Sequence, residues 1–181
     1  MYGMVNKAIE DFVCSNFGEE SWLRIKAEAG VDVVAFVSNE PYPDEVTFKL
    51  VGASSDVLNI PVDKVLHSFG EHWILRTARE GYGEMLDANG KTLSEFLKNL
   101  PNFHTRVAMI FPALDPPRFE VSDEGPNSLR LHYFTHRAGL SMFVAGLLSG
   151  LGKMYDTPAE ICHDVSRDEG ADHDEFVVTW E

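Results

Sequence analysis

The sequence predicts an α+β protein, with a helical N-terminal lobe and a C-terminal α/β lobe whose antiparallel sheet carries one helix. Three observations point there. Apolar residues recur at helical spacing from Tyr2 to about Leu100, and alternating runs replace that pattern after Pro112. A long apolar segment, Leu140 to Tyr155, then separates two pairs of alternating runs, so helix and strands are interleaved only in the second half. At 181 residues the chain reads as one domain, with lobes at about 1–60 and 61–181.

Tyr2, Val5, Ala8, Ile9, Phe12 and Val13 lie on one helical stripe that Gly18 should end, and Trp22, Leu23, Ile25 and Ala29 form a shorter helix closed by Gly30. Pro41-Tyr42-Pro43 is a loop, after which Asp44 can cap a helix carrying Val46, Phe48, Leu50 and Val51. Pro61 suits a helix start, with Val62, Val65, Leu66, Phe69 and Trp73 on one face. Gly81-Tyr82-Gly83 should break the chain, and Asn89-Gly90 should turn it. Thr92-Leu93-Ser94-Glu95 has capping-box spacing, giving a helix to about Leu100, and Pro101 restarts the chain into a short piece that presents His104. Pro116-Pro117 is a stiff connector into a strand at Arg118 to Ser122; Asp123 to Asn127 turns, and Ser128 to Arg137 alternates as a second strand. Glu160 to Arg167 and Glu175 to Trp180 make a final hairpin.

A formal net charge of -14 gives an acidic surface, which repels phosphate backbones and anionic lipid and so argues against nucleic acid and membrane partners. Cys14 and Cys162 are too few for a disulfide framework, and no signal peptide opens the chain. The expectation is a soluble cytoplasmic protein.

Chemistry concentrates in two places. In a strand, Leu129, Leu131, Tyr133, Thr135 and Arg137 share a face, so an apolar face runs into two hydroxyls and a guanidinium. That set can receive one or two carboxylates, or it is simply a strand end in solvent. His104 stands among Phe103, Val107, Met109 and Phe111. Such a histidine is either a satisfied core residue or the one ligand of a cofactor that brings its own in-plane nitrogens, as haem does. Among the other histidines, His67 and His72 point to different helix faces, His132 and His136 fall on the opposite strand face, and Cys162, His163 and His173 offer a weak zinc cluster. No phosphate loop or nucleophile elbow is visible.

Tyr133-x-Thr135-x-Arg137 resembles the Tyr-x-Ser-x-Arg motif of H-NOX domains, and Asn102-Phe103-His104-x-Arg106-Val107 resembles their proximal-histidine segment. The likeness continues through Met1 to Asn6, Leu50 to Ser54, Phe69-Gly70 with Trp73, Gly81-Tyr82, Pro116-Pro117, Gly146 to Leu148 and Asp172 to Phe176, covering essentially the whole chain in order. It is nearest to the branch holding the soluble guanylate cyclase β sensor and its cyanobacterial relatives. Nothing follows Glu181, so no cyclase, kinase or chemotaxis domain is expected to be attached. The resemblance implies haem b buried between the two lobes, with His104 as axial ligand, Tyr133, Thr135 and Arg137 on the propionates, and Pro117 pressing on the macrocycle. Thr135 departs from the family's serine but keeps the hydroxyl.

The resemblance also implies a ligand preference. Family members that hold dioxygen carry a distal tyrosine where this chain reads Met142-Phe143-Val144; Val5, Ile74 and Leu148 are further distal candidates, and Trp73 is the one residue there with a donor. The expected function is therefore a nitric oxide sensor, also open to carbon monoxide, that excludes dioxygen. It would signal by releasing His104 and moving the lobes, read by a separate histidine kinase or cyclic-dinucleotide enzyme. A dioxygen sensor or carrier is the alternative. A haem enzyme would need a distal acid–base pair, for which only His72 beside Trp73 is in place.

Overall fold

The computed structural model describes residues 1–111 and 114–181; the change of pattern placed at Pro112 lies outside them. The chain divides into two compact units, Met1–Phe69 and Gly70–Glu181.

In the first unit α1 (Gly3–Phe17), α2 (Glu19–Glu28) and α3 (Asp44–Leu58) are followed by the start of α4 (Val62–His72). Gly18 ends α1 at φ 86°, a conformation that costs glycine little. Ala8, Ile9, Phe12 and Val13 bury one face of α1, Trp22 and Ile25 that of α2, and Leu50, Val51 and Ala53 that of α3. Leu23 and Phe48, expected inward, are exposed, because each lies off the stripe its neighbours define. Asp44 does not cap α3: it is the first helical residue, and its carboxylate meets the Met1 ammonium instead. Thr47 Oγ1 donates to Asn6 Oδ1 at 2.7 Å, tying α1 to α3 through a buried polar pair.

In the second unit the chain passes through a π-helical stretch, Trp73–Ala78, into α5 (Arg79–Asp87), then α6 (Leu93–Ile110), β1 (Arg118–Ser122), β2 (Ser128–Phe134), α7 (Ser141–Met154), β3 (Ala159–Val165) and β4 (Asp174–Trp180). The sheet runs β1-β2-β4-β3, antiparallel throughout. Leu129, Leu131, Phe176 and Val178 fill one face, packing with α6 and α7 through Phe96, Leu97, Val144, Leu148 and Leu151.

Three local expectations change. Gly81 to Gly83 does not break the helix but kinks it, at Tyr82 (φ -142°, ψ 25°). Pro101 does not restart the chain either: α6 runs unbroken from Leu93 to Ile110. A proline inside a helix forfeits one backbone bond, but the stripe Leu93, Phe96, Leu97 and Leu100 is buried and outweighs it. The capping box forms with a shift, Thr92 Oγ1 accepting from Glu95 N (3.2 Å) while the Glu95 carboxylate accepts from Lys91 N (2.8 Å). Gly150 and Gly152 of α7 let neighbouring backbone approach the helix, that of Glu71 and of Thr157. A Cβ on Gly70 would stand 2.3 Å from the Phe143 carbonyl oxygen, so the α4 and α7 backbones touch there. Among the described residues, no helix is long and apolar enough to cross a membrane.

Candidate functional site

The continuous α6 decides how His104 is presented. One turn earlier lies the Leu100 carbonyl, 3.2 Å from His104 Nδ1. With that nitrogen donating its proton, the Nε2 lone pair is left available as a ligand. The imidazole packs against Phe103 (5.5 Å between ring centres) and Phe119 (4.7 Å). The residue is half-buried, and desolvation by these neighbours lowers the His104 pKa to about 4, with the Leu100 bond pulling weakly the other way. The side chain is therefore neutral at physiological pH, the state metal ligation requires.

Phe119, from β1, also stacks on Tyr133 of β2 (5.3 Å, 29° between planes). One buried ring thus bridges His104 and the first residue of the Tyr-x-Thr-x-Arg motif. Burial raises the Tyr133 pKa, against smaller opposing effects of the Thr135 hydroxyl and the Arg137 and Arg167 guanidiniums. Its hydroxyl stays protonated and can donate.

The strand does not reach Arg137 as expected: β2 ends at Phe134. Thr135 Oγ1 accepts from the Arg137 backbone N–H (3.1 Å), and this local bond competes with the ladder and turns the chain out of the sheet. The Arg137 guanidinium donates to the Asp115 and Leu114 carbonyls, at 2.9 and 3.1 Å. The end of the motif is thereby clamped to the segment leading into Pro116 and the half-buried Pro117. Asp115 itself has φ 47°.

Residues the sequence reasoning passed over brace this turn from behind. Arg167 Nη1 donates to the Thr135 carbonyl (2.7 Å). Buried Asp174 accepts from Ser141 Oγ and Arg167 N, and its Oδ1 lies 2.9 Å from His163 Nε2. Phe119 had a readable signal, as the apolar position of a short alternating strand. Arg167 had none, because the carbonyl it braces is 32 residues away; Asp174 lay in the Asp172 to Phe176 segment of the resemblance, but nothing there showed that it would meet Ser141, 33 residues away.

The distal candidates of the second unit lie in and around the same apolar core that holds Phe119 and Tyr133. Trp73 and Phe143 meet edge to face (6.4 Å, 79°), Ile74 and Leu148 are buried, and Met142 packs half-buried against the core. The π-helical stretch begins at Trp73; such stretches add a residue to a turn and re-aim the side chains that follow. Val5 lies half-buried on α1 in the first unit.

The weak zinc cluster that Cys162, His163 and His173 offered in sequence does not converge. Cys162 is exposed, and His163 faces the other side of the sheet, stacked on Phe176 (4.7 Å). Adjacent strand residues point to opposite faces, which keeps these two apart.

A neutral imidazole with a directed lone pair, near a tyrosine, a threonine and an arginine able to receive carboxylates, suits an acidic cofactor that brings its own metal. With the fold, it defines a haem-binding sensor domain. The chain belongs to the Haem-NO-binding family (HNOB, the H-NOX domains), whose family model matches residues 2–163. It is similar to the soluble guanylate cyclase gcy-31 of Caenorhabditis elegans, 27% identical over 175 residues, which takes in 96% of this chain and 25% of that protein. The chain thus spans about a quarter of the length of that relative. An H-NOX protein from S. oneidensis, solved in the Fe(II)NO state, matches with a TM-score of 0.90 at 21% identity, covering 100% of this chain and 99% of that one. An unliganded Fe(II) H-NOX protein from K. algicida matches with a TM-score of 0.87 at 24% identity, covering 100% and 97%.

Proposed function

We propose that this chain senses nitric oxide at ferrous haem b, with His104 as the axial ligand and dioxygen excluded. The observation that carries the reading is the His104 geometry: Nδ1 tied to the Leu100 carbonyl, Nε2 free to bind, and a pKa too low for protons to compete. Haem would supply the iron at which nitric oxide or carbon monoxide binds. Tyr133, Thr135 and Arg137 would hold the propionates, with Arg137 exchanging its carbonyl partners for a carboxylate, a stronger acceptor. Pro117, two residues before Phe119, would press on the macrocycle.

Dioxygen bound to ferrous iron draws charge and needs a hydrogen-bond donor, whereas nitric oxide depends on one far less. Met142, Phe143 and Val144 supply no such donor, which supports selectivity for nitric oxide. Dioxygen binding is the second reading, favoured by one observation: the Trp73 indole sits against Phe143 in the same apolar group. Signalling would follow from release of His104 and movement of the lobes, read by a separate partner such as a histidine kinase or a cyclic-dinucleotide enzyme.

Absorption spectra of the ferrous protein test this directly. A five-coordinate nitrosyl with nitric oxide and no stable oxygenated form in air are expected. A stable oxygenated spectrum would overturn the ligand assignment, and a haem spectrum unaltered in His104→Gly would overturn the axial one.

A further inference from the structure

The sheet face opposite the core carries a second constellation, independent of the haem reading. His132 of β2 lies directly across from Glu175 of β4, and His173 precedes Glu175 by two residues, so all three share that face. His132 Nδ1 stands 2.9 Å from His173 Nε2, and Glu175 Oε1 is 3.5 Å from the first and 3.3 Å from the second. In a tetrahedral zinc site with bonds of about 2.05 Å, ligand atoms stand about 3.3 Å apart. The observed separations bracket that value, so the three atoms trace one face of such a tetrahedron.

Their surroundings orient them. Asp172 Oδ1 lies 2.6 Å from His173 Nδ1, and Ser122 Oγ lies 2.8 Å from His132 Nε2. If each ring donates its proton to that oxygen, the lone pairs of His173 Nε2 and His132 Nδ1 face each other beside a carboxylate oxygen. A carboxylate behind a histidine is the usual support of a metal-bound imidazole. Phe134 stacks on His173 (4.2 Å, 20°), fixing its ring plane. Arg130 donates to the other Glu175 oxygen (2.7 Å), leaving Oε1 to the cluster. That guanidinium is shared with Asp123 and Asp164, so the locality stays net negative. Three lone-pair donors this close repel unless a cation or a proton lies between them.

We propose that His132, His173 and Glu175 form a zinc site on the outer face of the sheet, with water completing the coordination. These three are the metal-competent cluster among the described residues, and Cys162 is not part of it. Zinc here would pin β2 to the entrance of β4, beside the turn that carries Thr135 and Arg137.

The test uses tag-free, haem-loaded protein, stripped with a chelator, given zinc, passed through gel filtration and analysed for zinc and iron separately. Wild type and Cys162→Ser should each retain one equivalent of zinc, and His132→Ala and His173→Ala should retain none. X-ray absorption should show nitrogen and oxygen at about 2.0–2.1 Å with no sulfur at about 2.3 Å. Far-UV circular dichroism and the haem spectrum check each variant's fold. Should either alanine variant fail to fold, Asp172→Asn carries the test through a zinc affinity weakened about 10–100-fold. The proposal is overturned if wild type retains no zinc, which would leave a shared proton between the rings. It is equally overturned if zinc survives in a folded His173→Ala variant or is lost in Cys162→Ser.

Discussion

Burial of His104 makes a quantitative demand on the haem-free protein. Its pKa falls from 6.5 to about 4 because charging the ring among Phe103 and Phe119 forfeits hydration. Above pH 6.5 the ring is neutral whether folded or unfolded, so the group contributes nothing to pH dependence. As pH falls from 6.5 towards 4 the unfolded chain takes the proton more readily, and stability is lost through that window. At pH 4.5 the linkage relation gives a loss of about 2.5 kcal/mol relative to pH 7.5. Urea denaturation of haem-free wild type and His104→Leu at both pH values isolates this contribution, since the other titrating groups are common to both. The wild type should lose about 2.5 kcal/mol more than the variant. Haem-loaded wild type should show at least this loss, because a nitrogen committed to iron takes up no proton in the folded state while the unfolded chain still does. Equal losses in the two haem-free proteins would refute the claim that His104 is held neutral by desolvation.

Other perturbations probe the braces. Phe119→Ala removes the ring shared by His104 and Tyr133, and denaturation should show a loss of about 3–5 kcal/mol. Thr135→Val deletes the acceptor for the Arg137 N–H and should cost about 1 kcal/mol, whereas Thr135→Ser should be near wild type; thermal melts separate the two. Gly70→Ala places a methyl against the Phe143 carbonyl and should destabilise by about 1–3 kcal/mol or more, read by the same melts. Arg137→Ala should speed haem transfer to an acceptor protein, followed by absorbance; an unchanged rate would remove Arg137 from the propionate assignment.

Helix stripes and turn glycines were legible because their signals are local. Gly18 ends α1 where an apolar stripe runs out, and Thr92 caps α6 three residues before Glu95. Pro101 misled for the same reason. Its penalty is written in the sequence, while the burial that outweighs it depends on Phe96, Leu97 and Leu100 finding β1 and α7. The π-helical stretch at Trp73–Ala78 leaves no mark in residue spacing, since its neighbours keep a helical composition. Strand alternation extended too far, to Arg137, because a threonine hydroxyl capturing a backbone N–H two residues on looks like any other alternating position.

The two clusters of the second unit show the limit more sharply. Tyr133, Thr135 and Arg137 were found because one segment presents all three, and His104 because it is polar in an apolar run. His132 and His173 are 41 residues apart and meet only because β2 pairs with β4 in the register that sets His132 opposite Glu175. A shift of one residue would turn His132 into the core and Leu131 to solvent, so the packing of Leu129, Leu131, Phe176 and Val178 also decides the outer cluster. The apolar face fixes the register, and the register alone brings the two imidazoles within 2.9 Å. Sequence proximity in the final hairpin offered only Cys162, His163 and His173, and the same alternation already sends the first two, neighbours in sequence, to opposite faces.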